Sequence, residues 1–283
     1  MKKSMLWPLI ALVGGGAAFV LRLLQRSTGF EADTGLPIPG NLPAVLLVVW
    51  FVVLAAGCLL AARKLLPSDR ESPARFPSDF ATASAGLLTP AVMGIFLLAA
   101  SGVVELASGV MPGPLAISAD GLTAPLESGF FTQRESLLAG VLSLLSAASL
   151  FPAIPACRSR EGDAPAKPFQ GALLLVPVCC LVVRLVLTYR AMSVNPSLAD
   201  YYPELLAVVF LTLAFYRLSS FAFRAGRSRR FALYAALAIA FCLATLADFP
   251  DPSRLLFYAG GALALFGFLL QRAAALEAPA GPV

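Results

Sequence analysis

Residues 182–190 read Val-Val-Arg-Leu-Val-Leu-Thr-Tyr-Arg. One arginine, Arg184, stands inside an apolar run, and a second, Arg190, closes it. Residues 19–26 say nearly the same: Phe-Val-Leu-Arg-Leu-Leu-Gln-Arg, with Arg22 inside the run and Arg26 at its end. In both places a polar loop follows and a proline, Pro43 or Pro203, opens a second apolar run. A hydrophobic run that tolerates an arginine, stated twice, predicts a membrane protein built by internal duplication.

Composition supports the membrane half of that expectation. Of 283 residues, 59% are hydrophobic and 13% charged, where a soluble domain carries about 25% charged residues. The mean hydropathy is +0.82. The apolar residues come in runs of about twenty, the length a helix needs to cross roughly 30 Å of hydrocarbon. The net charge of +5 does not point to nucleic acid, because the basic residues cluster at the ends of apolar runs rather than on one face. Histidine, the commonest metal ligand and general base, is absent from the sequence. The five cysteines (Cys58, Cys157, Cys179, Cys180, Cys242) fall in or beside apolar runs, so they are expected to be inert and unpaired.

Taken in order, the runs predict eight transmembrane spans, at about 5–25, 43–62, 85–107, 135–155, 169–189, 203–223, 231–248 and 254–271. The basic start and first apolar run resemble a signal peptide. Apolar sequence continues past the Gly14 to Ala18 patch, so this run reads as a first span. Between the spans lie polar, Gly- and Pro-rich segments, the longest at 108–133. An N-terminus in the cytoplasm puts 14 basic residues on the inner side and four (Arg26, Arg134, Arg190, Arg254) outside, with Arg22, Arg184 and Arg217 inside spans. The positive-inside rule then places both termini in the cytoplasm and the chain in a plasma (inner) membrane. Trp7, Tyr189, Tyr201, Tyr202 and Tyr258 fall near expected interfaces, as an aromatic belt would, and Gln25 and Gln271 read as interfacial.

The expected fold is therefore all-α, a polytopic bundle of eight transmembrane helices in two parallel four-helix repeats, 1–157 and 158–283. In that alignment Arg22 answers to Arg184, Glu105 to Asp248, and Arg134 to Arg254. These six are the candidate ligand-binding residues. Three roles compete for the intramembrane arginines: snorkelling to the outer headgroups; ion pairs that hold the first span to the third and the fifth to the seventh; and an anion-binding ring around the pseudo-axis, formed by Arg22, Arg184, Arg134 and Arg254 and tuned by the acids. Arg217 is expected to snorkel toward the cytoplasm. Ser143, Ser146 and Ser149 share a helix face and read as packing and back-bonding residues. Gly260, Ala264 and Gly267 give a small face for close helix contact.

No catalytic motif is present: no Gly-Xaa-Ser-Xaa-Gly elbow, no phosphate loop, no paired carboxylates on one helix. No cofactor or metal is expected. The leading functional expectation is a transporter or permease-like binder of a small anionic solute or lipid headgroup. Against it stands a non-catalytic scaffold or sensor subunit whose charges lock helices, and, third, a membrane-embedded enzyme acting on lipid. The expected partners are the lipid bilayer, that anionic solute, and a second copy or a partner membrane helix; nucleic acid is not among them.

Overall fold

A computed structural model describes residues 3–31, 38, 40–66, 76–82, 84–111, 115–117, 123–125, 131–158, 168–193 and 198–277. Parts of all five longer loops fall outside these residues, including Arg70, Arg75, Asp120, Glu127, Arg160, Lys167 and Asn195-Pro196.

Apolar sequence leaves the backbone no water to bond, so it closes its hydrogen bonds within helices. Nine helices form among the described residues: α1 (Leu6–Thr28), α2 (Leu42–Leu65), α3 (Ala85–Val110), α4 (Gln133–Leu150), α5 (Ala153–Arg158), α6 (Pro168–Met192), α7 (Leu198–Ala222), α8 (Ser228–Leu246) and α9 (Pro252–Ala275). The short α5 continues α4 beyond a break at Phe151-Pro152, so the nine make eight spans long and apolar enough to cross a membrane. Within 108–133, Leu115–Ile117 pairs antiparallel with Thr123–Pro125.

Helices α3, α4, α6, α7, α8 and α9 contact one another in that order, and α9 returns to α3, closing a ring. Outside it, α1 and α2 pack against α8. The chain begins and ends its spans on one face: the Ser4 hydroxyl donates to the Ala273 carbonyl at 3.1 Å, and the Ser4 and Met5 amides donate to the Glu277 carboxylate, both at 3.1 Å. We term this the proximal face and the other the distal face.

Close packing without a hydrophobic driving force needs small residues at the seams. The α3–α9 seam has them in both directions. A Cβ on Gly94 would lie 2.2 Å from the Ala264 amide nitrogen, and one on Gly267 would lie 2.3 Å from that of Ala91. Gly102 and Gly140 also bring α3 close to α4, where an added Cβ would lie 2.8 and 2.7 Å from Leu144 and Leu106. The small face of the eighth span is thus buried against the third. Its continuation buries Gln271 completely, at 0% exposed, so that residue is not interfacial. Trp7 is not a belt residue either: it is buried and its indole N–H donates to the Ala232 carbonyl at 3.0 Å. Of the cysteines, all free, Cys179 is exposed and the other four are buried.

On the proximal face, residues 76–82 fold back across the helix ends. Phe80 enters a cluster with Phe76, Phe221, Phe231 and Phe268, at ring separations of 5.0–6.4 Å.

Candidate functional site

The distal half of the bundle holds three pairs of arginine and acid, one buried on both sides and two with one partner half-buried. Each is set by helix geometry. Arg22 lies one turn from Gln25 on α1, and its Nη1 donates to the Gln25 amide oxygen at 3.1 Å. Its Nε and Nη2 donate to the two Asp248 oxygens at 2.8 and 3.2 Å. Asp248 follows the end of α8, where backbone bonds to Ala244 and Thr245 and a left-handed Phe249 (φ 48°) turn the chain. Arg26, one turn beyond Arg22 and 44% exposed, shares the same carboxylate at 3.2 Å.

The second pair is more enclosed. Arg184 Nη2 donates to Glu105 Oε1 at 2.6 Å and Nη1 to Oε2 at 3.0 Å. Ser143 on α4 closes a triangle: it donates to Glu105 Oε2 at 3.1 Å and accepts from Arg184 Nη1 at 2.9 Å. The Arg184 guanidinium carbon lies over the Phe257 ring, 3.6 Å from its centroid, a cation–π contact.

The third pair joins α7 to α9. Glu204 Oε2 meets Arg254 Nη2 at 3.3 Å, and Oε1 accepts from the Tyr258 hydroxyl at 2.8 Å. Arg254 and Tyr258 are four residues apart on α9, so both face one carboxylate.

The structure brings together five of the six candidate residues as Arg22 with Asp248, Arg184 with Glu105, and Arg254 with a different acid. Arg134 stands apart: it is exposed at the start of α4 and makes no ion pair or hydrogen bond among the described residues. Neither intramembrane arginine snorkels; Arg22 is 0% and Arg184 2% exposed. The pairing differs from the expected first-to-third and fifth-to-seventh arrangement. The main neighbours of α1 are α8 and α2, while α3 packs chiefly on α9 and α4. Each arginine therefore meets the acid of the other half of the chain. Arg217 lies half-buried near the rings of Tyr216 and Tyr234, at 5.4 and 5.7 Å.

Sequence reasoning passed over Glu204, Tyr258 and Ser143. Glu204 follows Pro203 at the edge of an apolar run, where an acid reads as an exposed first-turn residue. Tyr258 reads as a belt aromatic. Ser143 belongs to a spacing-of-three series whose other members, Ser146 and Ser149, do bond back to their own helix. The one signal for Glu204 was numerical: three distal arginines, Arg22, Arg184 and Arg254, against two recognised acids.

The arrangement is charge-balanced. A buried pair of this kind is supported when its remaining donors and acceptors are also met; Gln25, Ser143 and Tyr258 do part of this here, and Arg184 Nε is buried without a hydrogen-bond partner among the described residues. Among the described residues no group of three or more His, Cys, Asp or Glu could hold a metal ion. Fold and site together define a polytopic helical membrane protein with an interhelical charge layer. No protein-family model matches the chain, and no curated protein or solved structure matches it.

Proposed function

We propose that the protein is a non-catalytic membrane component, a scaffold or sensor subunit, whose distal charge layer locks its helices together. The observation that carries this is the enclosure of Arg184: 2% exposed, held by both Glu105 oxygens and by Ser143, and covered by Phe257. An anion would have to displace a carboxylate already in place, in a site with no net positive charge to attract it. The proximal face, which carries the Arg224 to Arg230 turn and Arg272, belongs in the cytoplasm by the positive-inside rule, which sets both ends of the chain inside a plasma membrane.

The crossing of the pairs favours a duplicated origin for 1–157 and 158–283. The exchange that carries the first span to the fifth and the seventh to the third carries Arg22–Asp248 onto Arg184–Glu105. The outward apolar side of α2, with Val45, Val49, Val52 and Leu60 exposed, faces lipid, a partner helix or a second copy.

A permease-like second reading is favoured by the closed six-helix ring, which encloses the Arg184 and Glu204 pairs. One experiment separates the two. Melting is measured in detergent for wild type and Arg184→Gln against a panel of small anions and anionic lipids. A ligand that binds only the folded state, present at 100 times its Kd, adds about 2.7 kcal/mol. The clamp reading expects no anion to raise the wild-type Tm and Arg184→Gln to melt lower. An anion that stabilises wild type and not the variant overturns it in favour of the permease.

A further inference from the structure

We infer that residues 76–82 are a detachable strap that closes the proximal mouth of the helix ring and opens independently of the distal charge layer. Four attachments hold it. Phe80 fills the aromatic cluster formed by Phe76, Phe221, Phe231 and Phe268. The Phe76 amide donates to the Phe221 carbonyl at 3.2 Å, and the Thr82 amide donates to that of Cys157 at 3.0 Å. Arg272 Nη1 donates to the Asp79 carbonyl at 3.0 Å and lies 3.4 Å from its carboxylate.

The fourth contact is built to be broken. Arg272 also donates from Nε and Nη2 to the Ser228 hydroxyl, at 3.0 and 2.9 Å, a partner outside the strap. Releasing Asp79, whose side chain is 35% exposed, gives its carboxylate to water, while the buried Arg272 keeps the Ser228 hydroxyl. The distal layer is the opposite case: separating Arg184 from Glu105 leaves two charges in hydrocarbon. At the proximal end one partner of the ion pair already reaches water, and opening there costs mainly the exposure of Phe76 and Phe80.

Two further features lie beside the strap. A small gap lined by Phe76, Ser149, Pro152, Ala153, Leu173 and Leu174 adjoins it. The fourth span is also broken at Pro152, directly beneath, where the missing amide leaves a weak point in the helix. The strap thus spans the ends of α5, α7 and α9 over the one helix that is already interrupted.

Cys157 is a native reporter, since it is buried under the Thr82 contact. The test uses full-length protein in membrane vesicles and labelling by N-ethylmaleimide. Two backgrounds are needed, one keeping only Cys157 and the other only Cys242, which is buried within α8 away from the strap. Asp79→Lys puts a like charge beside Arg272 without touching the aromatic cluster. The expected result is Cys157 labelling about tenfold faster in Asp79→Lys, the response of a local opening to a lost contact, with Cys242 labelling unchanged. Phe80→Ala is expected to act in the same direction and more strongly. Unchanged Cys157 labelling in both variants overturns the inference. So does a parallel rise at Cys242, which would mark loosening of the whole bundle.

Discussion

Arg22 and Asp248 meet through two hydrogen bonds, at 2.8 and 3.2 Å, across the boundary between the first four spans and the last four. Arg184 and Glu105 do the same in the opposite sense. The halves are thereby riveted through charged residues toward the distal ends of their spans.

The Arg184–Glu105 pair makes the clearest energetic prediction. Removing one partner of a buried pair leaves an uncompensated charge, at a cost of about 3–5 kcal/mol, while replacing both by apolar residues is often neutral. Glu105→Gln is expected to lower the Tm sharply in detergent. The double change Glu105→Leu with Arg184→Leu is expected to recover most of the loss. A double variant as unstable as the single one would mean that the pair does more than cancel charge.

Arg22 and Arg26 share one carboxylate but differ in environment. The exposed Arg26 pair is worth about 0–1 kcal/mol and is screened by salt. Arg26→Gln is therefore expected to be almost silent, and what effect it has to vanish at high salt. Arg22→Gln is expected to be severe at any salt concentration. Parallel melts at low and high ionic strength check this.

Two tyrosines near the charge layer should behave differently. Tyr258→Phe takes a hydrogen bond from a buried carboxylate and should cost about 1–3 kcal/mol. Tyr202 buries its hydroxyl oxygen without a hydrogen-bond partner among the described residues, so Tyr202→Phe should be neutral or stabilising. Their relative Tm values decide the matter.

Glycine substitutions test the seams. Gly94→Ala drives a methyl group into the α9 backbone, with 2.2 Å available to Ala264; overpacking of this kind costs about 1–3 kcal/mol or more where backbone must move. Gly16→Ala and Gly57→Ala meet nothing within 4 Å and should leave yield and elution profile unchanged. Size-exclusion chromatography of the three variants gives the comparison.

The spans were legible because a twenty-residue apolar run has little else to do in water or lipid. Their ends agree with the expected bounds to within a few residues for most spans; the start of the sixth and the end of the eighth moved further. The arginines were equally visible, since an isolated cation in such a run has to be accounted for. Which helix each arginine meets was not legible, because neighbours are chosen by the small-residue seams at Gly94, Gly102 and Gly267, and these show where a helix packs but not against what. Burial of Trp7, Tyr258 and Gln271 was hidden for a related reason: near the end of a span, a belt residue and a core residue have the same sequence context. Residues 76–82 belong to the segment 63–84, which reads as a loop from its four basic residues and three prolines, and only the fold shows that Phe76 and Phe80 are core.

The crossing of the charge pairs also sets a schedule for synthesis. Arg22 precedes its carboxylate by 226 residues, and at about 5–20 residues per second it waits about 10–45 s for Asp248 to be made. Glu105 precedes Arg184 by 79 residues, a wait of about 4–16 s. For those intervals a charge is already committed to a span while its partner is still in the ribosome. The first span must be sheltered by the insertion machinery, or held at the bilayer edge, until the seventh arrives. Truncation anywhere before Asp248 would leave Arg22 without its carboxylate permanently.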